Sequence, residues 1–79
     1  MEIFKTSGVC ASEIQFKIEN GVVLDVDFIK GCPGSLLAIR ELVRGLTVSE
    51  VISKLKGIQC GSKETSCPDQ LALALESYL

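Results

Sequence analysis

Cysteine is the residue type in this chain best suited to chemistry. Cys10, Cys32, Cys60 and Cys67 occur among only 79 residues, and the chain contains no histidine. Thiolates bind zinc, hold iron–sulfur clusters and attack disulfides. Nucleophilic catalysis of the Ser–His or Cys–His kind is excluded in its usual form, because it needs a histidine. The residue types therefore point to a thiolate site, either a metal centre or a redox-active dithiol.

Two of these cysteines precede a proline at the start of an apolar, helix-like run. Cys32-Pro33 opens CPGSLLAI, and Cys67-Pro68 opens CPDQLALAL. Because proline is favoured at the first helical position, this pattern predicts that each sulfur lies at a helix N-cap and points outward from the helix end. Free amides and the positive end of the helix dipole stabilise a thiolate there. In the absence of metal, we expect Cys32 and Cys67 to alkylate faster than the other two thiols.

Cys10 and Cys60 lie in the glycine-containing segments SGVCAS and IQCGS, between predicted elements. A structural cysteine usually packs as a small hydrophobe inside a strand or helix, so these boundary positions favour ligands or reactive thiols. No C-x2-C pair occurs, and any site must combine distant segments. The hypothesis is one zinc or iron-containing site per chain, with Cys10, Cys32, Cys60 and Cys67 as ligands. Buried reduced cysteines and disulfides are the alternatives that the residues leave open.

A β-hairpin over residues 13–29 is the first element that would position these cysteines. Apolar residues alternate with polar ones on both sides of Asn20-Gly21, and Asn-Gly favours a type I′ turn. Asp25 and Asp27 are expected to be solvated on the outer face, and residues 2–6 are expected to add an edge strand. The residues predicted on the buried face are Ile14, Phe16, Ile18, Leu24, Val26 and Phe28.

Three helices are predicted to follow. Apolar residues at helical spacing indicate the first over 34–44, with Gly45 at its left-handed C-terminal position. TVSE, at 47–50, is a capping box that opens a second helix ending at Gly57. A third begins near Pro68, with Asp69 compensating its dipole. The apolar faces are Leu36, Ile39, Val43 and Leu46 in the first, Val48, Val51, Ile52 and Leu55 in the second, and Leu71, Ala72, Leu75 and Tyr78 or Leu79 in the third.

Strands followed by helices predict a small two-layer α+β domain. The sheet is antiparallel and hairpin-based, with two or three strands covered by three helices, in a single domain over residues 1–79. The second hairpin strand runs into Cys32, and the first begins back beside it. The first helix leads away from this end, the short second helix returns toward it and delivers Cys60, and the third helix starts there with Cys67. We therefore expect all four sulfurs to converge at one end of the sheet–helix sandwich.

Composition narrows the classes of function. Hydrophobic residues make up 47% of the chain and charged residues 23%, which indicates a folded globule. The net charge is −2 and no basic cluster occurs, so nucleic acid is not expected as a direct ligand. The lack of a leader and of a membrane-length apolar run predicts a cytoplasmic protein with no membrane association. In a reducing compartment, cysteines favour metal or thiol chemistry over disulfides.

At TSCPDQLA, residues 65–72, the sequence resembles the TSCPD domain family. The resemblance extends over GVCAS, the hairpin, GCPGSL and GIQCGSKETSCPDQLA, and so includes all four cysteines. It implies an accessory module linked to ribonucleotide reductases and deoxynucleotide synthesis, with a reductase subunit as partner. It does not imply that the chain reduces nucleotides, because a reductase needs a radical-bearing barrel that 79 residues cannot build.

A more distant similarity is to the U-type iron–sulfur scaffold proteins, whose cysteines follow the order of Cys10, Cys32 and Cys67. The chain departs from that pattern at Ala11-Ser12 and at Pro33, and Cys60 would add a fourth sulfur. Four thiolates suit structural zinc or an iron–sulfur cluster. The alternatives to a metal-binding module are an iron–sulfur scaffold-like protein, a dithiol of Cys32 and Cys67 that shuttles electrons, and a structural interaction domain. A homodimer is left open as well.

Overall fold

The computed structural model of the chain describes residues 2–6, 11–30, 33–59 and 65–79. Within these ranges the chain forms a three-stranded antiparallel sheet and three helices. The strands, in spatial order, are β1 (Glu2–Lys5), β2 (Glu13–Glu19) and β3 (Val22–Ile29). The helices are α1 (Pro33–Val43), α2 (Val48–Leu55) and α3 (Cys67–Leu75), and a 3₁₀ turn follows at Glu76–Tyr78. The predicted α+β class is confirmed, including the edge strand β1.

The β2–β3 hairpin turns at Asn20-Gly21, as predicted. Both residues have positive φ angles, 53° and 75° respectively, which is the conformation of a type I′ turn. That turn matches the right-handed twist of the two strands, and Glu19 pairs directly with Val22. At the other end of the hairpin Glu13 pairs with Ile29. The start of β2 and the end of β3 therefore lie side by side.

A β-bulge interrupts the alternation of β3. Lys17 pairs with Asp25 but Ile18 pairs with Val23, so Leu24 is an extra residue on β3. The inserted residue changes which side chains face the core: Val23 is fully buried, whereas Leu24 is 38% exposed. The prediction that Leu24 shares the buried face was wrong, because a period of two does not continue through an inserted residue.

Helix α1 runs antiparallel to β3 and packs against it. Its C-terminal side returns to the start of β3, where the Gly45 amide donates to Val23 O and the Val23 amide donates to Leu46 O, both at 2.9 Å. Gly45 has a φ of 88° and lies just past the helix in the left-handed region, as predicted. The residues of the predicted apolar face are buried or packed against the core: Leu36, Ile39, Val43 and Leu46.

Helix α2 begins at a capping box, as predicted. The Glu50 amide donates to Thr47 Oγ1 at 3.1 Å, and the Thr47 amide donates to Glu50 Oε1 at 3.2 Å. The Val48 amide donates to Gly21 O at 2.9 Å, which attaches the start of α2 to the hairpin turn. The predicted apolar stripe is also confirmed, since its residues are buried or packed against the core: Val48, Val51, Ile52 and Leu55.

One hydrophobic core joins the covered face of the sheet to the helices. Aliphatic side chains surround the ring of Phe16. Tyr78, from the 3₁₀ turn, packs edge-on against that ring at a centroid distance of 5.5 Å, and its hydroxyl donates to Glu2 Oε1 at 2.7 Å. The buried members of the core are Ile14, Phe16, Val23, Val26, Val43, Val48, Val51, Leu71, Ala74 and Leu75.

All three helices are short. They contain 11, 8 and 9 residues, which correspond to roughly 12 to 17 Å of helix. Helices of this length are marginal in isolation, so their stability comes from packing and capping. Among the residues that the structure describes, no helix is long and apolar enough to cross a membrane.

Candidate functional site

Cys67 is the predicted ligand that lies among the described residues; Cys10, Cys32 and Cys60 lie outside them. Cys67 is a free, half-buried thiol at the start of α3. The common site of four thiolates and the convergence of their sulfurs therefore stay predictions. The structure describes the surroundings of Cys67 and the residues close in sequence to the other three cysteines.

Ser66, and not Cys67, is the N-cap of α3. Ser66 has an extended backbone, with φ −149° and ψ 169°, and its Oγ accepts a 3.1 Å hydrogen bond from the Asp69 amide. Cys67 is the first residue of the helix, and Pro68 follows it. The prediction that the Cys67 sulfur occupies the N-cap was wrong, because a serine hydroxyl accepts an amide hydrogen bond far better than a thiol does. Serine followed by aspartate three positions later is the sequence signal for this cap.

Cys67 lies on the buried face of α3. Residues three, four and seven positions apart share a face of a helix. For Cys67 these residues are Gln70, Leu71 and Ala74, and all three are buried. The structure makes Cys67 half-buried, and the predicted projection of its sulfur outward from the helix end stays a prediction. Its thiol is therefore partly shielded from solvent.

Asp69 is a buried carboxylate that joins the end of α2 to the start of α3. It is 7% exposed. Its Oδ1 accepts from the Gly57 amide at 2.7 Å and its Oδ2 accepts from the Thr65 hydroxyl at 2.5 Å. A buried carboxylate is costly unless donors satisfy it, and these two donors do so. The prediction that Asp69 compensates the helix dipole missed this contact, because Gly57 is twelve residues away in the chain.

A second hydrogen bond connects the same two segments. The Ser66 hydroxyl donates to Ile58 O at 2.7 Å, one residue along from the amide that Asp69 accepts. Gly57 has a φ of 88°, a conformation that glycine adopts at little cost. No buried side-chain nitrogen or oxygen in the described ranges lacks a hydrogen-bond partner. We call this set of residues the polar joint: Gly57, Ile58, Thr65, Ser66 and Asp69.

The polar joint brings together the segments that lead to two predicted ligands. Ile58 is two residues before Cys60, and Ser66 directly precedes Cys67. The hydrogen bond between Ser66 and Ile58 therefore ties the chain at a short sequence distance from both cysteines. The structure therefore brings the end of α2 to the start of α3, as expected, and their meeting with Cys32 at one end of the sheet stays a prediction.

The segments next to the other two cysteines are tied as well. The Ser12 amide donates to Ile29 O at 2.8 Å, and the Ser12 hydroxyl donates to the same oxygen at 3.2 Å. Ser12 is two residues after Cys10, and Ile29 is three residues before Cys32. Ala11 is buried beside this contact in the chain. The chain is thus joined close to all four cysteines, in two pairs.

Thiolates are the donors that decide which metal could bind. They are soft ligands that select zinc and iron–sulfur clusters. Within the described residues, no three Cys, Asp or Glu side chains form a group that could hold a metal ion. Carboxylates near Cys67 therefore do not complete a metal site within those residues.

Asp25 and Asp27, the two acidic residues of β3, differ in their exposure and in their hydrogen bonds. Asp27 is exposed, as predicted. Asp25 accepts from Arg40 Nε at 2.9 Å and from the Val26 amide at 3.0 Å. Burial raises the pKa of Asp25, but the hydrogen bonds from Arg40 and Val26 outweigh it and hold that pKa below its ordinary value. Asp25 therefore attaches α1 to β3, and it is not simply solvated.

The family model of the TSCPD domain matches residues 2–79. The chain belongs to the TSCPD domain family. Comparisons with curated proteins and with solved structures found no match. The resemblance that the sequence carried at TSCPDQLA is confirmed, and it extends over nearly the whole of the 79-residue chain.

The five residues that name the family form the start of α3 in this TSCPD domain. Thr65, Ser66 and Asp69 make hydrogen bonds of the polar joint. Pro68 lies in the first helical turn, where its missing amide hydrogen costs little. These four residues shape and attach the helix. The side chain of Cys67 takes part in none of these hydrogen bonds.

Proposed function

We propose that this TSCPD domain is a small four-cysteine metal- or thiol-binding accessory module of ribonucleotide reductase that works in the cytoplasm. The observation that carries the proposal is the start of α3, where the hydrogen bonds of the polar joint hold the chain on both sides of the free, half-buried Cys67. A metal ligand or a reactive thiol needs such a position. Family membership supplies the link to the reductase.

The proposed ligands are Cys10, Cys32, Cys60 and Cys67. Four thiolates suit structural zinc in a closed tetrahedral site, and they suit an iron–sulfur cluster equally well. The tied segments support this set, because the Ser12–Ile29 and Ile58–Ser66 hydrogen bonds each draw together the chain near two of the cysteines. A bound metal would add folding free energy to a thin core.

An accessory role suits this domain better than nucleotide reduction by the domain itself. The 79 residues of this domain are far fewer than a radical-bearing barrel requires. The proposed partner is therefore a ribonucleotide reductase subunit. A second copy of the domain is the other candidate partner.

The second candidate function is electron transfer by a dithiol of Cys32 and Cys67. The free thiol of Cys67 favours it. Two thiols would give up two electrons and two protons to form one disulfide, and a disulfide of the reductase would accept them and become two thiols. An iron–sulfur scaffold-like protein would instead carry a labile cluster, and a structural interaction domain would keep inert, reduced cysteines.

Elemental analysis of anaerobically purified protein tests the metal site. We expect about one zinc, or the iron of one cluster, per chain in wild type, and loss of that metal in Cys67→Ser. Ser49→Ala, which is exposed on α2, is the control and should keep the metal. Four freely titrating thiols in metal-free wild type would contradict the site. A reversible disulfide between Cys32 and Cys67 in that protein would favour the dithiol.

Sedimentation of the purified domain with a purified ribonucleotide reductase subunit tests the partner. We expect the domain to co-sediment with the subunit, and the domain alone reports whether a homodimer forms. A domain that stays separate from the reductase, in both metal-loaded and metal-free forms, would contradict the accessory role without affecting the metal site.

A further inference from the structure

The start of α3 concentrates the buried polar side chains of the described chain. Ser66, Asp69 and Gln70 are its buried polar residues, and all three lie within five positions of one another. Burying polar groups is unfavourable unless they are hydrogen-bonded, and a satisfied buried network holds its members in one arrangement. The buried polar side chains at the start of α3 therefore hold this part of the chain in one geometry, which apolar packing alone would specify less strictly.

Capping of α3 does not require the carboxylate of Asp69. Ser66 Oγ accepts from the Asp69 backbone amide, and that bond alone caps the helix. Both carboxylate oxygens accept from donors outside the helix, the Gly57 amide and the Thr65 hydroxyl. The carboxylate therefore fixes the start of α3 relative to the end of α2.

An ion pair also links the end of α2 to the 3₁₀ turn, and it is weaker than the buried hydrogen bonds of the polar joint. Lys56 Nζ and Glu76 Oε2 lie 3.0 Å apart, but both side chains are more than a third exposed. Exposed ion pairs contribute little, because solvent screens them. Ser66 and Asp69 are buried side chains that flank Cys67 and bond to the Gly57–Ile58 segment. Ser66 also caps α3, so Asp69 is the one whose side chain can be changed without removing the cap.

We infer that Asp69 is a positioning residue for Cys67: its carboxylate holds the first turn of α3 against the Gly57–Ile58 segment and so fixes where the thiol of Cys67 can bind. The inference rests on the proposed thiolate site. Residues that orient ligands through hydrogen bonds typically change metal affinity about 10- to 100-fold when they are replaced. Asp69 would act through the backbone of Cys67, without touching the metal.

Asp69→Asn is the test variant. Asparagine keeps a carbonyl oxygen for the Gly57 amide but replaces the second acceptor oxygen with an NH₂ group, so it loosens the polar joint without removing it. Asp27→Asn makes the same chemical change at an exposed position on β3. In titrations with Co²⁺, followed by thiolate-to-cobalt absorption, the affinity of Asp69→Asn should fall about tenfold or more. Asp27→Asn should match wild type. Equal affinities in all three proteins would overturn the inference.

Val51→Ala separates positioning from loss of stability. Val51 is fully buried on α2 and lies outside the polar joint, so its truncation destabilises the fold by leaving a cavity. Under conditions where each protein is fully folded by circular dichroism, Val51→Ala should keep the wild-type Co²⁺ affinity. A loss as large as that of Asp69→Asn would overturn the inference, because stability would then account for the affinity.

Alkylation of Cys67 decides the matter if folded wild type binds no Co²⁺. A folded wild type that binds no Co²⁺ would contradict the proposed metal site but would not test the positioning role of Asp69. In the metal-free protein, Asp69→Asn should then raise the alkylation rate of Cys67 several-fold over wild type, because the half-buried thiol is no longer held in place. Asp27→Asn should leave the rate unchanged. If Asp69→Asn also leaves it unchanged, the positioning role fails together with the metal site.

Discussion

The carboxylate of Asp69, in the first turn of α3, accepts a 2.7 Å hydrogen bond from the amide of Gly57, just past the end of α2. Gly57 has a φ of 88°, so the contact joins an unusual backbone conformation to a buried side chain. Asp69 is two residues after Cys67, and Gly57 is three residues before Cys60. Backbone geometry at the end of α2 is therefore coupled to the segments that carry two predicted ligands.

Gly57→Ala should lower the free energy of unfolding by about 1–2 kcal/mol, because a Cβ disfavours the left-handed conformation. The added Cβ would meet no atom within 4 Å, so the loss would come from the backbone alone. Gly34→Ala is the control: it lies in α1 with equally open space and should stabilise by about 0.5 kcal/mol. Urea unfolding measures both, and equal destabilisation would contradict the assigned conformation.

Val23→Ala and Leu24→Ala test the β-bulge. Val23 is fully buried, so its truncation should cost roughly 2 kcal/mol in the free energy of unfolding. Leu24 is partly exposed, so the larger truncation there should cost less than about 0.5 kcal/mol. Chemical denaturation compares the two variants. The opposite order would mean that β3 keeps an uninterrupted alternation.

The ion pair between Asp25 and Arg40 should make stability depend on pH. The pKa of Asp25 is lowered in the folded protein, so the pair stabilises fully above the unfolded-state pKa of about 3.9 and is lost as the pH falls through the lower folded pKa. Arg40→Gln should therefore be less stable than wild type by about 0.5 kcal/mol near neutral pH.

Urea midpoints of wild type and Arg40→Gln, measured from neutral pH down to about pH 2, check this. The difference between the two proteins should shrink below about pH 4. Lys54→Gln is the control, because Lys54 is an exposed basic residue of α2 and is not among the charges that lower the pKa of Asp25. A difference that is constant with pH would show that Arg40 acts through packing and not through the charge of Asp25.

Ser66→Ala should destabilise the metal-free protein by about 1–2 kcal/mol, because α3 loses its N-cap. Ile58 O would also lose its donor. Cys67→Ala should change stability by less than about 0.5 kcal/mol under the same conditions, since Cys67 does not cap the helix. Thermal or urea unfolding of the metal-free variants compares them. If Cys67→Ala lost more free energy of unfolding than Ser66→Ala, the Cys67 sulfur and not the Ser66 hydroxyl would be the cap.

Removal of metal should lower the melting temperature of protein purified with its metal. Binding free energy at a structural thiolate site is also folding free energy, and the core of a 79-residue domain is thin. The measurement is differential scanning calorimetry before and after chelation, with metal content checked on the same samples. Restored zinc should restore the melting temperature. Identical melting curves with and without metal would argue that the site has no structural role.

Sequence patterns that act within a few residues determined most of the elements. Asn20-Gly21 specified the type I′ turn, and TVSE specified the capping box of α2, because φ preferences and side-chain-to-backbone bonds operate over four residues or fewer. Gly45 ended α1 for the same local reason. The string at residues 65–69 was also sufficient to indicate the family, since its residues are contiguous.

Tertiary structure decided the features that depend on residues far apart in the chain. Leu24 became exposed because β2 and β3 pair with a bulge, and no residue within β3 alone sets that register. Asp69 acquired its role because the packing of α2 on α3 brings Gly57 to it. The sequence determined that Cys67 lies at a helix start. The Ser66 cap is also local, because Ser66 and Asp69 are three residues apart. Only the packed structure decided that the first turn of α3 is buried and that the Cys67 thiol is half-buried, because both depend on which side of α3 meets the rest of the domain.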